Sequence, residues 1–324
     1  MSLVLITGAT GFIGSQVVLQ TLEAGYSVHL VVRRPEQADK LRRIFSKFDE
    51  KLSFAVLPDI TAPGGFDKAL QGVDYVIHVA SPIAGSGESD LLTPAVKGTV
   101  SVLESAVKVP SIRKVVITAS ILSIIPLTPP ADGTLVKEDN DFDFTFDAES
   151  PTALSPIGQY HASKIAAHKA VIDFVATNKP SFDVVTIHPV LVFGRSLIQE
   201  TAEGLSGSNG LLFQTLMSET PFGKQFFGVH VSDVASAHVS ALARSCTSIK
   251  GVQPYLISSK ARTWREVHDY VRSRYPGLAI KLPPLDTLGY DVDTTRAHRE
   301  LGIEFRGMEV QIADLLDQQL ELRG

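Results

Sequence analysis

The segment Tyr160-His161-Ala162-Ser163-Lys164 sets a phenol and an ammonium four residues apart, the spacing that puts both on one face of a helix. Reducing a carbonyl creates an alkoxide that must be protonated. A phenol with an ordinary pKa of about 10 does this well only when nearby positive charge stabilises its phenolate. Lys164 is one such charge, and an oxidised nicotinamide would be another. A Tyr and a Lys at this spacing also occur on helix surfaces that do no chemistry, so the pair needs company. Ser120 supplies it, standing first past the apolar run in Val116-Ile117-Thr118-Ala119-Ser120, where its hydroxyl would hold a substrate oxygen beside Tyr160. A strand-end turn or a helix cap is the other role open to Ser120, and Ser123 offers a second hydroxyl close by.

A second group of residues is suited to phosphates. Thr7-Gly8-Ala9-Thr10-Gly11-Phe12-Ile13-Gly14 follows a short branched run, Leu3 to Ile6, and opens a helical pattern, which is the context a dinucleotide fingerprint requires. Gly8 would make the tight turn, Gly11 would leave room for a pyrophosphate, and Gly14 would let helix and strand approach. The backbone of Thr10, Phe12 and Ile13 belongs to the same predicted cradle at the helix start. After the second strand, Val28 to Val32, the adenosine ribose is expected, and an acid there would favour NAD. The sequence has Arg33 and Arg34 instead, whose guanidinium groups suit a 2'-phosphate, so NADPH is the predicted cofactor. Asp59 could accept from an adenine amino group or cap its own loop, and Ile60 would cover the adenine face. Ala80, Ser81 and Pro82 follow the fourth strand, where their backbone would line the cofactor.

These groups need a scaffold that brings several strand ends to one edge. Further strand-like runs are Phe54 to Leu57, Tyr75 to Val79, Val115 to Thr118 and Val184 to Ile187. Helical patterns lie between them at Phe12 to Ala24, Leu91 to Val107 and Gln159 to Thr177, with Gly25 as a helix stop. This alternation predicts an α/β fold, a doubly wound parallel sheet of Rossmann type with a smaller C-terminal substrate lobe. Residues 1–188 are read as the dinucleotide-binding domain, with about 228–260 returning to it, and 189–324 mostly as the substrate lobe. Within that lobe Phe193, Leu211, Leu212, Phe213 and Phe222 either wall a pocket or form core. Trp264 to Tyr275 reads as a helix whose aromatic face is core packing.

With 324 residues, 44% hydrophobic and 20% charged, the chain is ordinary for a globular protein with a full core. The charge of -5 gives no general attraction to nucleic acid or anionic membrane, so a small molecule is the expected partner of a monomer or homodimer. The first apolar run is too short for a signal peptide or a membrane span, and Cys246 is the only cysteine, so a cytoplasmic location is expected. No metal site is read from the sequence.

Taken in order, the glycine turn, Ser120, Tyr160 and Lys164 resemble an extended short-chain dehydrogenase/reductase. The resemblance is strongest to the group of dihydroflavonol reductases, cinnamoyl-CoA reductases and yeast-type ketoreductases. It spans nearly the whole chain, through His78-Val79-Ala80-Ser81-Pro82, Lys97-Gly98-Thr99, His188-Pro189, Val192-Phe193-Gly194, Val231-Ser232-Asp233-Val234-Ala235 and Leu301-Gly302-Ile303. It implies that Tyr160 is the general acid, that Lys164 lowers its pKa and binds the nicotinamide ribose, and that Ser120 orients the carbonyl of a hydrophobic aldehyde, ketone or keto ester. The His188-Pro189 segment would close over the nicotinamide, although a buried strand-end role with satisfied hydrogen bonds suits His188 better than proton transfer. The chain departs from the family pattern at Ala119, Lys97 and Arg195, which touches loop geometry and substrate rather than the class of reaction. A nucleotide-sugar epimerase or dehydratase, a hydroxysteroid dehydrogenase and a non-catalytic NADP(H)-sensing protein are the alternatives.

Overall fold

The structure, a computed structural model, describes residues 2–81, 90–145, 154–244, 248–249 and 251–324, so Pro82 and Cys246 lie outside the described residues. Five parallel strands open the chain: β1 (Leu3–Thr7), β2 (Ser27–Val32), β3 (Leu52–Val56), β4 (Tyr75–His78) and β5 (Lys114–Thr118). A two-residue strand β6 (Leu135–Val136) precedes β7 (Asp183–Pro189), β8 (Leu191–Phe193), β9 (Gly228–His230), β10 (Gln253–Ile257) and β11 (Asp291–Val292). The helices are α1 (Phe12–Glu23), α2 (Pro35–Ile44), α3 (Leu92–Ala106), α4 (Pro156–Asn178), α5 (Gly207–Leu216), α6 (Val231–Ala243), α7 (Trp264–Arg274) and α8 (Met308–Glu321).

Seven strands form the central sheet in the order β10-β7-β5-β4-β1-β2-β3, all parallel. This is the predicted doubly wound sheet. The order reverses at β1, with β2 on one side and β4 on the other, and such a switch point opens a crevice beyond the carboxyl ends of the strands. The register fixes that edge, because Thr7 pairs with Val31 and with His78, and Thr118 pairs with Ile187. Every strand-like run of the sequence is a strand, most of them a residue or two longer. β10 carried no recognised signal of its own, since Gln253 and Pro254 interrupt its apolar pattern.

Both faces of the sheet are covered at its centre, while the edge strand β3 keeps Val56 half exposed. Val4 and Ile6 pack with Val17, Val18 and Leu22 of α1 and with Val234 and Ala237 of α6. Leu5 and Val76 face the other way, onto Val102 and Leu103 of α3 and Val171 of α4. Burial on both sides explains why these strands read as unbroken hydrophobic runs. Gly25, with φ of 92°, ends α1 as predicted: its N–H bonds the Leu22 carbonyl and the Tyr26 N–H bonds that of Thr21, a left-handed helix stop.

A third core joins α5, α7 and α8 to β8. Phe193 stacks on Phe226 at 5.3 Å between centroids, and Trp264 meets Phe226 edge-on at 6.1 Å. The Trp264 indole N–H donates to the Gly223 carbonyl at 2.8 Å. Phe193 and Leu212 are wholly buried here, so of the two roles open to them the structure selects core, while Leu211, Phe213 and Phe222 keep some exposure. Among the described residues no helix is long and apolar enough to cross a membrane, and no cluster of His, Cys, Asp and Glu could hold a metal ion.

Candidate active site

Gly8 has φ of 76°, and a Cβ there would lie 2.7 Å from the Ala80 backbone nitrogen, so both its conformation and its space demand glycine. A Cβ on Gly14 would sit 2.0 Å from the Gly8 carbonyl oxygen, which makes Gly14 the seat of the turn itself. Gly11 closes the turn by donating to the Gly8 carbonyl at 2.9 Å and then begins α1, where no side chain caps the first N–H groups. Those donors, with Thr10, Phe12 and Ile13 around them, form a cradle that fits a pyrophosphate. Gly14→Ala should therefore destabilise the fold by about 1–3 kcal/mol through overpacking, and should weaken NADPH binding in a fluorescence titration.

Thr7 ties this turn to the next strand, a role the sequence did not display. Its Oγ1 accepts the Val79 and Ala80 N–H groups, both at 3.1 Å, and lies 2.9 Å from Nδ1 of buried His78. With its lone pairs so occupied, the hydroxyl proton goes to His78, whose ring burial keeps neutral by pushing its pKa down to about 4. Ser81 then extends to Lys164, whose ammonium donates to Ser81 Oγ at 2.7 Å. Lys164 in turn lies over the Tyr160 ring, 5.0 Å from its centroid. The two residues share one face of α4, as their spacing predicts.

Burial controls both groups. It pushes the Tyr160 phenol up to about 12 and the Lys164 ammonium down to about 8. A buried phenolate loses its hydration, and the lysine charge that would offset this loss is itself desolvated and directed at Ser81.

Ser120 is partly exposed at the end of β5, and its Oγ accepts the Leu122 N–H at 3.2 Å, capping a short helical turn, Ile121–Ser123. The cap uses only an acceptor lone pair, so the hydroxyl can still donate. Ser123, by contrast, is buried and its hydroxyl donates to the Ser120 carbonyl at 2.6 Å, which removes it as a substrate-facing hydroxyl. His188 and Pro189 end β7 in the buried state. The His188 ring is enclosed by Ser120, Ser123 and Thr186, so the strand-end role holds for it.

Arg33 and Arg34 follow β2 with exposed side chains, and both backbone N–H groups bond Gln37 Oε1, at 2.9 and 3.2 Å. Gln37 was not singled out in the sequence, though it stands one turn into α2 and shapes the loop that carries both arginines. Asp59 uses Oδ1 to accept from the Thr61 N–H and hydroxyl, at 2.8 and 2.7 Å, so the loop-capping role is the one its geometry displays. These bonds hold its carboxyl below the usual range. Ile60 packs on α3 at Gly98, where a Cβ would come within 3.1 Å of its Cδ1, which accounts for glycine there.

A phosphate cradle at a sheet switch point, with a tyrosine, lysine and serine gathered at the same edge, defines a Rossmann-fold oxidoreductase. The chain belongs to the NAD dependent epimerase/dehydratase family, whose model matches residues 4–253, and within it to the extended short-chain dehydrogenase/reductases of the ketoreductase group. It is 41% identical over 330 residues to the ketoreductase sphI of Aspergillus fumigatus, covering 98% of each chain. It is 30% identical over 352 residues to the NADPH-dependent methylglyoxal reductase GRE2 of Saccharomyces cerevisiae, covering 99% of each. The crystal structure of yeast methylglyoxal/isovaleraldehyde reductase Gre2 complexed with NADPH superposes with a TM-score of 0.85 at 27% identity, covering 99% of both chains.

Proposed function

We propose that this protein is an NADPH-dependent carbonyl reductase that converts an aldehyde, ketone or keto ester to the alcohol, with Tyr160 as proton donor. The observation that carries the reading is the continuous link from the glycine turn through Thr7, Ala80 and Ser81 to Lys164 and Tyr160. It joins the cofactor cradle to an acid in one rigid edge, and the chain's relatives named as a ketoreductase and an NADPH-dependent methylglyoxal reductase support it.

Gly8, Gly11 and Gly14 would hold the pyrophosphate, Arg33 and Arg34 the 2'-phosphate, and Lys164 the nicotinamide ribose. NADPH, when bound, supplies the hydride. Ser120 and Tyr160 donate to the carbonyl oxygen and orient it, and Tyr160 gives up its proton as negative charge develops there. Lys164 compensates the resulting phenolate. Ile157, 64% exposed and three residues before Tyr160 on the same helix, would offer a hydrophobic substrate an apolar contact. The same reading puts the enzyme in the cytoplasm.

The test is oxidation of NADPH and of NADH by the purified protein against aldehydes, aryl ketones, keto esters and α-dicarbonyls, after identification of any copurifying nucleotide. Turnover with NADPH is expected. Tightly held NAD with no net turnover would replace this reading with an epimerase. Arg33→Ala should weaken NADPH by about 1.5–3 kcal/mol through loss of a charged hydrogen bond and leave NADH nearly unchanged. Equal weakening of both nucleotides would remove Arg33 from the 2'-phosphate.

A further inference from the structure

The His188 ring is fully enclosed at the end of β7 and held edge-on by His168, 4.7 Å away between centroids. Its Nδ1 lies 3.1 Å from the Ser120 carbonyl oxygen and 2.9 Å from Ser123 Oγ, and its Nε2 lies 2.8 Å from Thr186 Oγ1. A carbonyl oxygen can only accept, so the contact with Ser120 requires the proton on Nδ1. Nε2 is then the bare nitrogen, to which the Thr186 hydroxyl donates. Burial, with His168 beside it, holds the His188 pKa far below its ordinary value, so the ring is neutral, as this arrangement needs.

The result is an unusual grip on one peptide group. The Ser120 carbonyl receives two donors from different elements, Nδ1–H of His188 on β7 and the hydroxyl of Ser123 at 2.6 Å. The Ser120 side-chain oxygen meanwhile accepts the Leu122 N–H. Both oxygens of Ser120 are fixed, which leaves its hydroxyl proton as the group free to turn toward a ligand. We propose that His188 is a positioning residue for the reduction: through the Ser120 carbonyl, seconded by Ser123, it fixes the direction in which the Ser120 hydroxyl donates to the substrate oxygen. This rests on the role given above to Ser120, and it assigns His188 no contact with cofactor or substrate. A histidine that merely filled space would show its loss in stability, with turnover and cofactor binding falling together.

The experiment measures kcat and KM for a keto ester, NADPH affinity by fluorescence and the unfolding midpoint. The variants are Ser120→Ala, Ser123→Ala, His188→Asn and His188→Leu, with Ser123→Ala and His188→Leu each also combined with Ser120→Ala. An asparagine amide nitrogen can take the place of Nδ1–H, whereas leucine offers no donor. We expect His188→Leu and Ser123→Ala to lower kcat by about tenfold or more with NADPH affinity kept, and His188→Asn to recover most of that loss. In the Ser120→Ala background neither second substitution should lower kcat further, because the hydroxyl they position is gone. Should His188→Leu fail to fold, Ser123→Ala with its double variant makes the same comparison. A further loss of similar size in the Ser120→Ala background would overturn the proposal, as would His188→Asn performing no better than His188→Leu. If Ser120→Ala alone keeps full turnover, the role of Ser120 is wrong and the positioning of it falls too, a failure separable from the other two.

Discussion

Tyr160→Phe should lower kcat by about 10²–10⁴-fold while leaving NADPH affinity and the unfolding midpoint almost unchanged, the usual range for removing a positioned general acid. The substitution deletes one oxygen from a ring whose position is set by α4 and by the Lys164 ammonium over its face. It leaves the Lys164 to Ser81 bond and the glycine turn as they were. The size of the effect follows from the chemistry. Burial pushes the phenol up, so Tyr160 holds its proton until negative charge develops on the carbonyl oxygen beside it. The neighbouring hydroxyls of Ser120 and Ser123 are aliphatic and far weaker acids than a phenol, and that of Ser123 is committed to the Ser120 carbonyl. Single-turnover measurements of NADPH oxidation would check the prediction, and a variant with near-native turnover would remove Tyr160 from its role.

Lys164→Met should cost a comparable share of activity and yet leave the protein at least as stable. Burial depresses the folded-state pKa of Lys164 from 10.5 to about 8. Below pH 8 both folded and unfolded chains carry the charge, and the folded state bears its full desolvation penalty. Between 8 and 10.5 the unfolded chain binds more protons, so this group's contribution to stability improves as pH rises through that window, and above it the penalty is gone. At pH 7 the penalty is about 3 kcal/mol by the usual conversion of pKa to free energy, and loss of the hydrogen bond to Ser81 offsets about 1–2 kcal/mol of what methionine gains. Urea midpoints at pH 7 and pH 9.5 would check this, with methionine holding its advantage at the lower pH and losing part of it at the higher. A clearly less stable variant at pH 7 would show that the ammonium is better solvated than its burial implies. On the proposed mechanism, the protein keeps a stability defect where its activity needs a charge.

The fold was legible because a sheet covered on both faces leaves apolar runs that are hard to mistake, as at Leu3 to Ile6 and Val115 to Thr118. The glycine turn was legible because its three glycines stand between a strand run and a helical pattern, the context that gives their spacing meaning. Tyr160, Lys164 and Ser120 could be nominated by type and position, and the structure brings all three to one edge. What remained hidden depended on contacts between distant segments. The bonds of Thr7 to residues 79 and 80, and of Lys164 to Ser81, join positions that pattern reading cannot pair. For Phe193 and Leu212, a buried pocket wall and a core position have the same composition, so only the packing could choose between them. Burial pushes the Tyr160 phenol up, an effect of packing that residue type and spacing do not display.

The strand order also bears on how the chain comes off the ribosome. β7 ends in His188 and Pro189 and pairs on its outer side only with β10, residues 253–257. Until that stretch has been translated, the nascent sheet presents an unpaired open edge with Val184, Val185 and Ile187 in it, the kind that recruits other chains or chaperones. A gene fragment cut near residue 190 would carry the whole glycine turn and both tyrosine and lysine, yet it should aggregate rather than bind nucleotide, because the segment that seals its sheet is encoded much later.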